Sequence, residues 1–519
     1  MILGKSLRDY ATSDSPFRRM TLDDLFRRDV ERHGDAIALI DPPDRASFTN
    51  GTPKRLSYAE ADRAVSAIAA RLADLGLKTD AIVALQLPNT VESVLALLGV
   101  LRAGMIAAPL PLLWRQIEAV DALSRIGARA LITCSRIGPV DHGELAMHIA
   151  AETFTIRFLC AFGEQHLDGV VALDDVFTGA PASTDAASGR PGNPAEHVAV
   201  VTFDISPDGL VPVARNHAEL IAGGLAVMLE GRIGHDSAML GTLATSSFAG
   251  LSTTVIPWLL SGGPLALHHP FNGAVLAAQC RERGDVVVVP GPLVPRLTEA
   301  GLIGGRTGPR TILSVWRAPE RMAGNAPWPK GDNALVDVLA FGEIGLIGLR
   351  RRADGKPVAL TPGPIAAPHS QSEALVLVHV MRSQAGTIAL RGAMIPHHAF
   401  PPGVERSGVP RLKIGDDGFI DTGYGCGFER VGAFTVNAPP AGIVSVGGYR
   451  FVLRELQQFV TSVAEGSTLA ALPDGLAGHR LAGVAGDRNS VRRILTDQGA
   501  NPLIVAAFRE RHGDRASAA

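Results

Sequence analysis

Residues 56–110 constrain the fold most strongly, because they spell out a strand, a helix and a second strand with short connections. Ser57 followed by Glu60 has the form of a capping box. Ala61, Val65, Ile68, Leu72 and Leu75 then recur at helical spacing, and Gly76 supplies a stop. Residues 81–87 form a short apolar run suited to a buried strand and ended by Pro88-Asn89. Residues 90–101 read as a second helix and 106–110 as another strand. This alternation is the grammar of a parallel sheet covered by helices. It returns at 130–134, 198–203, 285–289 and 311–316, which are β-rich runs separated by helical or loop segments. No solenoid-type period is visible. The prediction is an α/β fold.

The 46% hydrophobic and 19% charged composition permits large cores. A formal charge of −2 with no Lys/Arg run gives no basis for a nucleic-acid partner. The first twenty residues carry Lys5, Arg8, Asp9, Asp14, Arg18 and Arg19 in place of a signal-peptide apolar region. The most apolar stretch, 93–114, is broken by Arg102, Gly and Pro, so no transmembrane segment is predicted. Cys134, Cys160, Cys280 and Cys426 are widely spaced and form no C-x-x-C pair, which argues against a disulfide scaffold or zinc knuckle. The reading is of a cytoplasmic protein. Residues 179–194 read as a surface linker, and 351–371 as a loop-rich zone before strands expected at 374–381 and 387–390. A helix at 453–463 opens a small second unit. The division expected is a large domain, 1–441, and a small one, 442–519.

Particular residues point further. Leu56-Ser57-Tyr58, Leu87-Pro88-Asn89 and Arg102-Ala103-Gly104 leading to Pro109-Leu110 come first. Phe248-Ala249-Gly250-Leu251, Leu260-Ser261-Gly262-Gly263, Val288-Val289-Pro290 and Ala318-Pro319 follow. Asp417-Gly418-Phe419 with Thr422-Gly423, and Gly447-Gly448-Tyr449-Arg450-Phe451 with Glu455, complete the series. In this order they resemble the adenylate-forming (AMP-binding) superfamily of acyl-CoA synthetases, luciferases and peptide-synthetase adenylation domains. The resemblance implies a large N-terminal domain of layered mixed sheets and helices, with a small α+β C-terminal lid. Seventy-eight residues follow Ala441, fewer than the lid of full-length relatives, so a shortened lid lacking its final strands and catalytic loop is expected. Implied chemistry is activation of a carboxylic acid by ATP and Mg²⁺, with CoA as a thiol acceptor. Such chemistry needs backbone donors, cations and a metal-holding carboxylate around the phosphates.

By the same resemblance, residues 203–217 correspond to the phosphate loop, which makes Ser206 and Gly209 nucleotide-binding candidates. Val211 falls where a phosphate-facing lysine is carried, and Ile205 where a glycine is. Asp204 and Asp208 add negative charge there; Arg215 is the substitute cation. Phe341-Gly342-Glu343-Ile344-Gly345 corresponds to the aromatic-Gly-x-Thr-Glu motif. Phe341 and Gly342 are therefore nucleotide candidates, and Glu343 the candidate for Mg²⁺ and catalysis. Tyr424 occupies the place of the ribose-binding Asp, and Arg450 joins the nucleotide set. Pro439 and Gly442 replace the junction Arg and the hinge residue, and no lysine follows Lys413. Phe248, Gly250 and Trp316 are the candidates for the substrate pocket, against the plainer reading of the aromatics as core.

Other features read as structural. Pro329-Lys330-Gly331 follows Trp328 without a Ser/Thr/Gly run and reads as a surface turn. His268-His269 and His397-His398 lack a carboxylate at ligand spacing and read as structural or solvated. Asp416-Asp417 and Asp421 suit an exposed turn. Only six of the 49 Lys and Arg residues are lysine, and none occupies a position where the resemblance requires one. Two readings stay open at this point. One is an acid-activating enzyme of lipid or aromatic-acid metabolism working through Glu343, Arg215 and Arg450. The other is a non-catalytic protein that holds an acyl or aryl carboxylate, or pairs with itself or an active relative.

Overall fold

The computed structural model describes residues 19–163, 167–178, 192–305, 308–324, 328, 333–366, 376–402, 409–429 and 432–509. Most of the expected linker at 179–194, the Pro329-Lys330-Gly331 segment and residues 1–18 lie outside them. Among the described residues, no helix is long and apolar enough to cross a membrane.

Local signals in residues 56–110 act as read. Ser57 and Glu60 form the capping box of helix Tyr58–Asp74, and Gly76 takes φ +82° beyond its end. Strand Ile82–Gln86, helix Val91–Arg102 and strand Ile106–Pro109 follow. Every residue of Val91–Arg102 is buried. It meets helix Tyr58–Asp74 so closely that a Cβ on Gly99 would stand 2.6 Å from Cγ2 of Ile68. The absence of a side chain there permits the crossing.

Two large sheets result. The first has seven strands in the spatial order 209–216, 198–206, 106–109, 82–86, 130–134, 158–162 and 170–172. All neighbours in it are parallel except the edge pair 198–206 with 209–216. The second has eight strands in the order 345–350, 334–341, 311–316, 286–290, 239–241, 265–267, 37–40 and 55–57. Its six inner strands are parallel and both edges antiparallel. One apolar core joins both sheets to a five-stranded antiparallel sheet built from residues 363–438. A four-stranded antiparallel sheet takes only strands from residues 443–484. It carries the predicted helix Leu453–Val463 and has its own core around Phe451, Val460, Leu495 and Phe508.

Charge also holds the two large sheets together. Asp41, just past strand Ile37–Ile40, accepts from the Val91 amide at 2.9 Å and pairs with Arg45 at 2.5 Å. Arg45 reaches Glu92 at 2.7 Å, and Lys54 reaches the same carboxylate at 3.0 Å. Glu92 is fully buried, and its two cations hold its carboxyl below the usual range against desolvation. Removing one member of such a buried cluster leaves an uncompensated charge. We expect Arg45→Ala to cost about 3–5 kcal/mol in guanidinium denaturation. Arg125→Ala, which breaks a partly exposed i,i+4 pair with Asp121, should cost only about 0.3–0.5 kcal/mol.

Candidate active site

Parallel strands of both sheets end on one cleft, the usual place for ligands in open α/β sheets. Asn89 and Pro111 follow strands of the first sheet; Thr242, His269, Arg317 and Gly342 follow strands of the second. Together with Ser445, Gly447, Gly448, Tyr449 and Arg450 of the four-stranded unit they enclose a cavity of about 460 Å³. A smaller cavity of about 300 Å³ lies beyond Arg450, between the edge hairpin and helix Leu453–Val463.

The stretch aligned with a phosphate loop is a tight hairpin. Strands Val198–Ser206 and Gly209–Asn216 pair through to Ser206 opposite Gly209, leaving Pro207-Asp208 as the turn. Ser206 Oγ donates to the Gly209 carbonyl at 3.1 Å and accepts from the Asp208 amide at 3.2 Å. Those backbone and hydroxyl groups serve the turn, and Gly209 faces the smaller cavity. Val211, opposite Asp204, is buried in the central core, so its side chain faces no phosphate.

Asp204 is the focal point of the cleft. Its carboxylate accepts from the amides of Glu343 (2.9 Å) and Ile205 (2.7 Å) and forms an ion pair with Arg450. Gly342 stands beside this pair at φ +59°, and a Cβ on it would fall 2.2 Å from Asp204 Oδ2 and 2.5 Å from Arg450 Nη1. Glycine is needed there on both counts. Besides the negative charge expected of it, Asp204 has a structural role through its partner Arg450, 246 residues away.

Glu343 is fully buried, and desolvation pushes its carboxyl above the usual range. Its Oε2 accepts from the Phe248 amide at 2.6 Å, at the start of the helical segment 248–261, where a negative charge suits the helix dipole. Its Oε1 lies 3.8 Å from Arg317. Arg215 does not reach the cleft. It is buried, donates to the Glu343 and Ile344 carbonyls, and stacks 3.7 Å above the Phe248 ring. Burial pushes its guanidinium down to about 10. This placement corrects its reading as a substitute phosphate cation.

The aromatic candidates turn inward. Tyr424 is buried edge-on to Phe341 at 5.5 Å, and its hydroxyl donates to the Arg317 carbonyl at 3.4 Å. Neither lines the cavity, and of the nucleotide candidates only Gly342 and Arg450 do. Phe248 and Trp316 are also core residues, which corrects their assignment to the substrate pocket. The Phe248 ring occupies the space left by Gly223, and Trp316 packs on Gly291 while its Nε1 donates to Asp337 at 3.0 Å. Gly250 has no room for a side chain, since a Cβ would meet the Ala244 carbonyl at 2.0 Å. The cavity wall is built instead by Phe203, Leu243, Pro290, Leu293 and Val315, with Arg317 at its polar part. Arg317 escaped the sequence reading. Its signal was Trp316-Arg317 standing directly before Ala318-Pro319, where the resemblance has two glycines.

His269 lines the cavity, and burial pushes its imidazole down to about 4, so it is neutral at physiological pH. His268 hydrogen-bonds Gln279 at 2.7 Å and His397 contacts Glu219 at 3.0 Å. Among the described residues no group of His, Cys, Asp and Glu could hold a metal ion.

Residues 26–203 match the AMP-binding enzyme family. The chain is 26% identical over 279 residues to the salicyl-AMP ligase / salicyl-S-ArCP synthetase of Mycobacterium tuberculosis, covering 54% of this chain and 47% of that protein. The match thus spans about half of that relative's length. It is also 26% identical over 462 residues to the 2-hydroxy-7-methoxy-5-methyl-1-naphthoate–CoA ligase of Streptomyces carzinostaticus, covering 85% of this chain and 80% of the other. Among solved structures, the amide bond synthetase McbA from Marinactinospora thermotolerans superposes with a TM-score of 0.67 at 15% identity. That alignment covers 93% of this chain and 94% of the other, and it shows the adenylate-forming fold.

The raised Glu343 carboxyl sets a pH dependence. A carboxyl harder to ionise in the folded state than in the unfolded one opposes folding as pH rises through its range. Glu343→Gln keeps an acceptor for the Phe248 amide but removes that charge. Relative to the unsubstituted protein, E343Q should gain stability as pH is raised from about 4 to about 8, read from denaturation midpoints at each pH.

Proposed function

Starting from the match of residues 26–203 to the AMP-binding enzyme family, we propose that this protein binds an acyl or aryl carboxylate in the cleft without standard Mg·ATP-dependent adenylation. The family's chemistry uses ATP, which makes Mg·ATP the group to test against the residues present. The observation that carries the reading is the Asp204–Arg450 ion pair, set against Gly342 at the mouth of the edge hairpin. A polyphosphate there needs free backbone donors and cations. The hairpin's donors are closed on its own turn, its carboxylate is in place, and Arg450 is held by that carboxylate. The carboxylate expected to hold Mg²⁺, Glu343, caps a helix. The residues do not fit Mg·ATP as arranged.

An acid-activating enzyme working through Glu343, Arg215 and Arg450 is the competing reading. Each of those groups is engaged elsewhere: Glu343 at the Phe248 amide, Arg215 at backbone carbonyls, Arg450 at Asp204. Removing even one preorganised donor from a transition-state site typically costs about 3–4 kcal/mol.

Pyrophosphate exchange over a panel of fatty and aromatic acids, paired with calorimetry, tests the reading. We expect saturable binding of at least one acid and no exchange that depends on both acid and Mg·ATP. Acid-dependent exchange at a rate typical of the family would overturn the loss of adenylation; an absence of acid binding would overturn the ligand-binding reading.

A further inference from the structure

We infer that Arg317 anchors the ligand's carboxylate and that the cavity is built for a single negative charge; this rests on the carboxylate-binding reading above. The charged side chains of the cavity wall are Arg317, Arg321 and Arg450 against Asp204 and Glu343. The cavity therefore carries one net positive charge, and hydrogen-bond partners show which guanidinium keeps its donors for a ligand. Arg450 is paired with Asp204. Arg321 donates to the carbonyls of Asp474, Gly475 and Leu476. Arg317 donates no hydrogen bond to the described residues, and its nearest carboxylate oxygen, on Glu343, is 3.8 Å away and already at ion-pair rather than hydrogen-bond range.

Position supports the same assignment. Arg317 directly follows strand Thr311–Trp316, so its Cα is fixed by the parallel sheet. Tyr424 Oη holds its carbonyl. Its stem runs under Gly448, where an added Cβ would lie 3.2 Å from Arg317 Cδ, so the four-stranded unit confines the guanidinium from above. Its side chain is 37% exposed, into the cavity it lines. Leu243, Pro290, Leu293 and Val315 supply the apolar wall that an aryl ring or alkyl chain would cover. A planar guanidinium meets a carboxylate through two parallel N–H donors. An apolar acid can thus place its head on Arg317 and its tail on that wall. A dianion or a polyphosphate exceeds the one charge available.

Calorimetry on the full chain tests this with benzoate, salicylate and decanoate, each beside its methyl ester, and with phthalate as a dianion. The variants are Arg317→Met and Arg317→Lys. Acids should bind the unsubstituted protein more tightly than their esters. R317M should weaken acid binding roughly ten- to a hundredfold, the range of a charge-assisted hydrogen bond, while leaving ester binding unchanged. R317K should recover part of the loss. Equal binding of acids by R317M and the unsubstituted protein would overturn the anchor while leaving the carboxylate-binding reading intact. Binding of neither acids nor esters by the unsubstituted protein would overturn both. The acid-to-ester comparison needs no variant, so equal affinities there would refute the anchor even if R317M failed to fold. Phthalate binding more tightly than benzoate would refute the single-charge cavity.

Discussion

The chemistry of this cleft depends on a backbone constraint: two parallel sheets end their strands on the same side of one space. A parallel strand presents the next residue at a fixed place, so residues 89, 111, 242, 269, 317 and 342 are set by sheet register rather than by loop conformation. The sheets are held in that relation by the buried Val91–Arg102 helix and by the Asp41–Arg45–Glu92–Lys54 cluster at its start. Desolvating four charges is expensive, and only the complete set compensates it. The residues of the cleft floor are therefore placed by the two sheets.

At the rim the charged groups satisfy one another. Asp204 accepts from two backbone amides and from a guanidinium supplied by the four-stranded unit. Glu343 contributes its amide to Asp204 and its carboxylate to the Phe248 amide, while Arg215 braces the Glu343 and Ile344 carbonyls from the buried side. These residues form one continuous network through Glu343. On the proposed reading, a polyphosphate would have to break it, exposing Asp204 to like charge while taking Arg450 away.

The scaffold was largely legible in the sequence because its signals are local. Ser57 and Glu60 cap a helix three residues apart, and strands at 130–134 and 311–316 are apolar runs with the predicted bounds. The site was less legible because its determinants are pairwise and distant. Nothing near Asp204 in the chain announces Arg450, and nothing near Phe248 announces that Gly223 leaves a hole for its ring. Phe248 and Trp316 were expected in the pocket from their place in the resemblance, yet a side chain's direction follows from what its neighbours leave open. The stretch 203–217, read as a phosphate loop, is a paired hairpin whose turn groups are used internally, and of it only Phe203, Asp204 and Ile205 line the cleft.

The scarcity of lysine takes on physical meaning here. A lysine ammonium is a compact, mobile point charge, well suited to following phosphates through a reaction; a guanidinium is planar and holds a fixed geometry. In this cleft the cations are all arginines, and two of the three are tied to specific acceptors, Arg321 to a run of carbonyls and Arg450 to Asp204. Arg317 alone is held by its backbone and stem while its guanidinium faces the cavity. On the inference drawn above, such a fork in a mostly apolar space suits a planar anion attached to an apolar body. Fold and charge therefore separate in this protein. The sheets fix where the cleft lies, and on the proposed reading the arginines fit it to hold a single carboxylate.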